Sequence, residues 1–235
     1  MKRILLFIAV TIALTTWAKA QELPTFEADL GKQEAFGVEV RVPYTDVISF
    51  YGYIKPGATP DEEKGGKKYY YLYVWIPVAS PEIGLRMVSP VPKKMKPGKE
   101  DFVMEDYTAN STDTKSYFDT WISFERADNV ISYEDIVTNG KTAGWLNYGQ
   151  NDDNSELPKQ PSGNKYNSQM RISTEVSNPA KALVIGLYRI GFTTYKTGEV
   201  QGSFIAQIGS VVEIPGVKVA RDLESLKAAL DSEKK

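Results

Sequence analysis

The run from Tyr69 to Pro77, YYYLYVWIP, is apolar or aromatic at every position. It holds no polar alternation, and its β-branched and aromatic side chains favour extended backbone. A short stretch of this kind predicts a central strand covered on both faces. A chain that contains it must supply neighbouring strands and two covering layers.

Further strand signals follow the same logic. Val38 to Val42 alternates Val with Glu and Arg, and Val47 to Ile54 (VISFYGYI) is rich in β-branched and aromatic residues. Lys55 to Lys68 is a turn-rich loop, Gly84 to Ser89 a shorter strand, and the Pro/Lys-rich segment Pro90 to Lys99 an exposed loop. In YFDTWISFER, from Tyr117 to Arg126, the period of two puts Phe118, Thr120, Ile122 and Phe124 on a core face. Asp119, Trp121, Ser123 and Glu125 take the outward face. Strands are also predicted over Met170–Val176, Ala182–Thr194 and Gly198–Val212, with a hairpin around Tyr195–Gly198. Ser132 and Asp135 predict a short helix through Val137 that ends at Gly140. Leu223, Leu226 and Leu230 follow Asp222 at helical spacing, which predicts a short C-terminal amphipathic helix. Many short strands with little helix between them give an all-β fold, an antiparallel sandwich or barrel with a few peripheral helices.

The N-terminus reads as a cleavable secretory signal over residues 1–20: Lys2 and Arg3, an apolar run from Ile4 to Trp17, then Ala18-Lys19-Ala20. The apolar run falls short of the roughly 20 residues of a membrane-spanning helix, and no later stretch comes closer. The expected mature chain begins at Gln21 and forms one domain over residues 21–235, exported to the periplasm, the cell surface or the medium. It would carry 25 basic and 30 acidic side chains, a balance of about −5 that argues against nucleic acid as a partner. There is no cysteine, hence no disulfide and no thiol for a lipid anchor. There is no histidine either, which removes the commonest zinc ligand and the usual acid–base group near neutral pH. Without these residues, and without a nucleophile elbow or a phosphate-binding loop, the chain reads as a non-enzymatic protein.

The polar segment from Asn147 to Ser168 holds two adjacent carboxylates, Asp152 and Asp153, between tyrosines. A solvated connection is one reading and a calcium site the other. An EF-hand starting at Asp152 would need glycine at its sixth position and glutamate at its twelfth, where Leu157 and Gly163 stand. Calcium takes six to eight oxygens, so other segments would have to contribute. Asp119 is the best candidate, since an outward carboxylate at a strand start has no packing role. The aromatics between Tyr69 and Trp75 also admit a sugar-stacking platform, against the simpler alternative that they fill the core.

Taken together, FYGYIKPGATPD, KKYYYLYVWIP, GLRMVSP, FDTWISFER, NKYNSQMRI and GLYRIGFTTYKTGEVQGSF resemble the major surface lipoprotein family of Leptospira, the Spirochaetales surface-lipoprotein domain, from about Val47 to Gly209. The resemblance implies a jelly-roll β-sandwich that binds calcium and acts as an adhesin for extracellular-matrix proteins and plasminogen. It implies calcium ligands at Asp119 and Thr120, at Asp152 and Asp153, and at Tyr166 through its backbone carbonyl. Family members carry a lipidated cysteine at the mature N-terminus, where this chain has Gln21. The expectation is an exported calcium-binding adhesion protein with matrix-type proteins or glycans as partners, its oligomeric state open and a homodimer among the options. A carbohydrate-binding β-sandwich module is the alternative.

Overall fold

The computed structural model describes residues 23–175, 177–196 and 198–233. The expected signal segment lies outside them. In chain order the strands are β1 (Glu27–Ala35), β2 (Val38–Pro43), β3 (Asp46–Ile54), β4 (Glu62–Lys64), β5 (Lys67–Ile76), β6 (Glu82–Val88), β7 (Phe102–Val103), β8 (Thr120–Ala127), β9 (Trp145–Asn151), β10 (Ser168–Ser173), β11 (Gly186–Thr194), β12 (Gly202–Ser210) and β13 (Lys218–Ala220). The helices are α1 (Glu105–Asn110), α2 (Ile136–Gly140) and α3 (Leu223–Ser232).

One sheet runs β10-β6-β12-β3-β7 and the other β13-β5-β11-β8-β9, with β4 added to β5. A separate hairpin joins β1 to β2. The eight strands β3, β5, β6, β8, β9, β10, β11 and β12 pair first with eighth, second with seventh, third with sixth and fourth with fifth, all antiparallel. This is one long antiparallel ribbon rolled over itself, the winding of a jelly roll.

The facing sides of the two sheets share one apolar core. β5 contributes Tyr70, Leu72, Val74 and Ile76, β8 contributes Ile122 and Phe124, and β12 contributes Phe204, Ala206 and Ile208. Phe118 and Thr120 are buried as the alternation predicts. Phe204 lies flat over Gly52 of β3, where a Cβ would stand 2.2 Å from the ring. Only glycine admits that approach. The opposite side of β5 is covered near its end: Trp75 packs with Ile136, Leu223, Leu226 and Leu230 beneath α2 and α3. Asp222 caps α3, its carboxylate accepting from Ser225 N at 2.7 Å. Arg189 occupies the middle of the outer face, its guanidinium 3.9 Å from the Tyr71 ring and 4.2 Å from the Trp145 ring. The protein's own cation therefore fills the space a stacked sugar would need there.

Three expectations need correction. β11 and β12 lie in different sheets, so the residues around Tyr195 form a crossover and not a hairpin, with Val200 buried in the core between the sheets. Turn residues mark a reversal, but they do not select the sheet the next strand joins. The segment Pro90 to Lys99 is not wholly exposed: Val91 packs with Val88, Tyr51 and Tyr107. The polar segment after Trp145 begins as strand β9, and its Tyr148 packs against Phe124 and Tyr188. β9 is an edge strand with a single buried side chain, so its composition carries almost no strand signal. The strands β1, β7 and β13 and the helix α1 also went unpredicted, and Lys55–Lys68, expected as a loop, holds the strand β4 and the first two residues of β5.

The β1–β2 hairpin is fastened to the sandwich through Glu82, a carboxylate at 0 % exposure. It accepts from Asp29 N at 2.9 Å, Leu30 N at 2.8 Å, the Tyr44 hydroxyl at 2.6 Å and the Ser173 hydroxyl at 3.2 Å. Burial, and then the Glu82 carboxylate, push the Tyr44 hydroxyl far above the usual tyrosine range, which keeps it a donor. Glu82→Gln would turn an NH2 group toward one of these donors. A hydrogen bond to a charged acceptor contributes about 1.5–3 kcal/mol, so the expected loss is about 2 kcal/mol of unfolding free energy by urea titration. An unchanged midpoint would mean that the hairpin is held by other contacts.

Candidate metal centre

Three strand ends meet at one corner of the sandwich. Asp119 immediately precedes β8, Asp152 and Asp153 follow β9, and Tyr166 stands two residues before β10. β8 and β9 are hydrogen-bonded neighbours, with Ile122 opposite Asn151. Their antiparallel course sets the start of one beside the end of the other. Thr120 N donates to Tyr166 O at 3.0 Å, which ties the β10 end to the same corner.

One carboxylate oxygen from each of Asp119, Asp152 and Asp153 lies within 4.8 Å of the other two. Asp119 Oδ1 and Asp152 Oδ1 are buried and accept no hydrogen bond. A buried carboxylate oxygen without a donor is costly unless a cation offsets it. Burial, and then the carboxylates of Asp153 and Asp152, push the Asp119 carboxyl up to about 6. Burial and Asp153 raise Asp152, and burial raises Asp153. Lys196 and Lys67 offset part of this for Asp119, and the Lys67 ammonium donates to Tyr195 O. Three acids compressed in this way form an arrangement that lowers its free energy by taking up a hard cation or a proton.

The oxygen-rich surroundings are tightly organised. Thr120 is fully buried, and its Oγ1 lies 2.9 Å from Ser168 Oγ and 3.3 Å from Tyr166 O. Ser168 Oγ is 2.6 Å from Thr120 O and also contacts Asp152 O. The buried Gln160 side chain donates from Nε2 to Phe118 O at 2.7 Å and to Tyr166 O at 3.1 Å, and reaches Ser89 O at 2.7 Å. Asn154 N donates to Asn167 O and closes the loop behind Asp153. Gln160, Asn167 and Ser168 were not singled out from the sequence. They sit in a Pro/Asn/Ser-rich stretch that reads as surface, and their burial arises only when the loop folds back under β8. The Tyr166 side chain is exposed, so only its backbone faces this corner.

Of the five residues named from the sequence, the structure gathers the three aspartate carboxylates directly, while Thr120 Oγ1 and the Tyr166 carbonyl meet each other and are tied to the Asp152 backbone through Ser168 Oγ. Hard oxygen donors in this number, with no nitrogen or sulfur among them, suit calcium better than a transition metal. No helix among the described residues is long and apolar enough to cross a membrane. No curated protein matches the chain. The model of the Lipl32 family, surface lipoproteins of the Spirochaetales order, matches residues 38–219, a span that takes in β2 and every strand of the two facing sheets save the last residue of β13. The chain belongs to this family of spirochaete surface lipoproteins.

Proposed function

We propose that the protein is a calcium-binding adhesion module of the cell surface, with no catalytic role. Calcium would be held by Asp119, Asp152 and Asp153 through their carboxylates, by Thr120 through its hydroxyl and by Tyr166 through its carbonyl, with water completing the shell. The observation that carries this reading is the convergence of three carboxylates, two of them with a buried oxygen that accepts no hydrogen bond. Family membership supports a surface location, and the adhesive role toward matrix-type proteins rests on the resemblance drawn from the sequence. Isothermal calorimetry on the exported chain tests the metal. Saturable calcium binding near one equivalent is expected, with magnesium much weaker because it demands tight octahedral geometry and sheds water reluctantly. Absence of calcium binding would return the corner to a solvated polar loop. Solid-phase binding to matrix proteins, run against a glycan array, separates adhesion from a carbohydrate-binding role.

The pH dependence has a definite sign. Burial and the neighbouring carboxylates push the Asp119 carboxyl up to about 6, above the ordinary aspartate range, so the folded state holds this proton more tightly than the unfolded one. Its contribution to the stability of the metal-free protein is present below the ordinary aspartate range and is lost as pH rises through about 6. Calcium competes with that proton. Calcium affinity should therefore strengthen as pH rises through this window and level off above it. A flat affinity across this window would remove Asp119 from the ligand set.

A further inference from the structure

A cavity of about 410 Å³ opens between two loops, the segment Pro90 to Lys93 that follows β6 and the segment Pro158 to Pro161 that precedes β10. Its volume lies within the roughly 300–1,000 Å³ of small-molecule sites. Four prolines line it: Pro90, Pro92, Pro158 and Pro161. A proline presents apolar ring surface and no backbone N–H, so an apolar guest covers these walls without stranding a donor.

Buried polar side chains set the distance between the two loops. Asn167 accepts from Ser89 N through Oδ1 at 3.0 Å and donates from Nδ2 to Pro158 O at 2.9 Å. Gln160 donates from Nε2 to Ser89 O at 2.7 Å. Ser203 of β12 anchors the first loop, its carbonyl accepting from Ser89 Oγ at 2.9 Å and its Oγ from Val91 N at 3.1 Å. With this network satisfied and the proline φ angles locked, the walls do not collapse onto each other.

The charge at the rim has one sign. Lys93 and Lys159 line the cavity with exposed side chains, and no carboxylate lines it. The lysines ion-paired among the described residues are others. Lys93 also opens the run KKMKPGK, which concentrates four lysines in a chain whose net charge is −2. Positive charge focused at a cleft draws anions to it. Asp119, Asp152 and Asp153 take no part in these walls. We propose that the cavity binds an anionic amphiphile, its aliphatic chain against the prolines and its carboxylate or phosphate head over Lys93 and Lys159. The same chemistry is offered by a dissolved fatty carboxylate and by an acidic lipid in a bilayer.

Isothermal calorimetry on the exported chain with decanoate tests the site, with decanol as the uncharged probe of equal chain length. Saturable decanoate binding near one equivalent is expected, and weaker binding of decanol. Lys93→Gln and Lys159→Gln should each weaken decanoate binding, by up to about fivefold for one exposed charge pair. Thr114→Trp sets an indole in the cavity, which Thr114 lines, and should abolish binding with unchanged circular dichroism. Cosedimentation with phosphatidylcholine vesicles, with and without phosphatidylglycerol, separates the two sources. Binding that requires phosphatidylglycerol and is lost in Thr114→Trp identifies a bilayer lipid, and decanoate binding without vesicle binding identifies a dissolved amphiphile. Absence of binding in both arms overturns the proposal, as does decanoate binding that the folded Thr114→Trp variant retains. Decanol bound as tightly as decanoate overturns the assignment of an anionic head to the two lysines.

Discussion

Trp75→Ala is expected to cost about 3–5 kcal/mol of unfolding free energy, as a large-to-small change at a packed site. Trp75 is 6 % exposed and stands between the outer face of β5 and the leucines of α3, in one cluster with Ile136 and Leu187. Removing the indole opens a cavity that α3 cannot refill, because Leu223, Leu226 and Leu230 are fixed by the helix and the helix by its Asp222 cap. For a chain of this length the loss corresponds to a fall in melting temperature of roughly 10 °C. Tyr195→Ala is the control: that ring is 47 % exposed, and its removal should change stability by no more than about 0.5 kcal/mol. Equal transitions for Trp75→Ala and the parent would make the outer face of β5 an open surface and strengthen the sugar-platform reading.

The second large effect is linkage between calcium and stability. At a free calcium concentration about 100-fold above the dissociation constant, stabilisation should be roughly 2.7 kcal/mol, seen as a rise in melting temperature. Asp119→Asn gives the most informative comparison. In the metal-free protein near neutral pH it removes a carboxylate that burial and two neighbouring acids destabilise, so the variant should melt above the metal-free parent. With calcium present the order should reverse, because the variant has lost a charged ligand. Asp153→Ala should likewise abolish the calcium-dependent rise. If Asp119→Asn retains the full response to calcium, the carboxylates converge for another reason.

The two pairing levels of the fold differ in how well a linear pattern encodes them. Strands with one buried face announce themselves through a period of two, and Thr120, Ile122 and Phe124 of β8 follow it, while Ser123 on the opposite face is also buried, beside Gly191 and Tyr71. β5 announces itself through unbroken apolarity, because a core lies on one side of it and, at Trp75, a helix on the other. β9 and β13 are short or edge strands with few buried side chains, so little in their composition separates them from loops.

The candidate site divides along the same line. Asp119 was legible because an outward carboxylate at a strand start needs no packing partner, and Asp152 with Asp153 because adjacent acids stand out in a polar loop. The identity of Thr120, and of Tyr166 as a carbonyl donor, came from resemblance and not from periodicity. Gln160 and Ser168 were silent because their role is to satisfy backbone carbonyls of segments far away in the chain.

Local sequence thus determined where this chain is extended, which side of each long strand is apolar and where α3 begins, since these depend on neighbours a few residues apart. Only the tertiary structure decided which sheet each strand enters, that Tyr195 leads into a crossover, and that one carboxylate oxygen from each of three acids at two strand ends comes within 4.8 Å of the others. Those outcomes depend on pairing between segments distant in sequence, where the free energy of closing the ribbon into two facing sheets outweighs any preference held by the turn residues themselves.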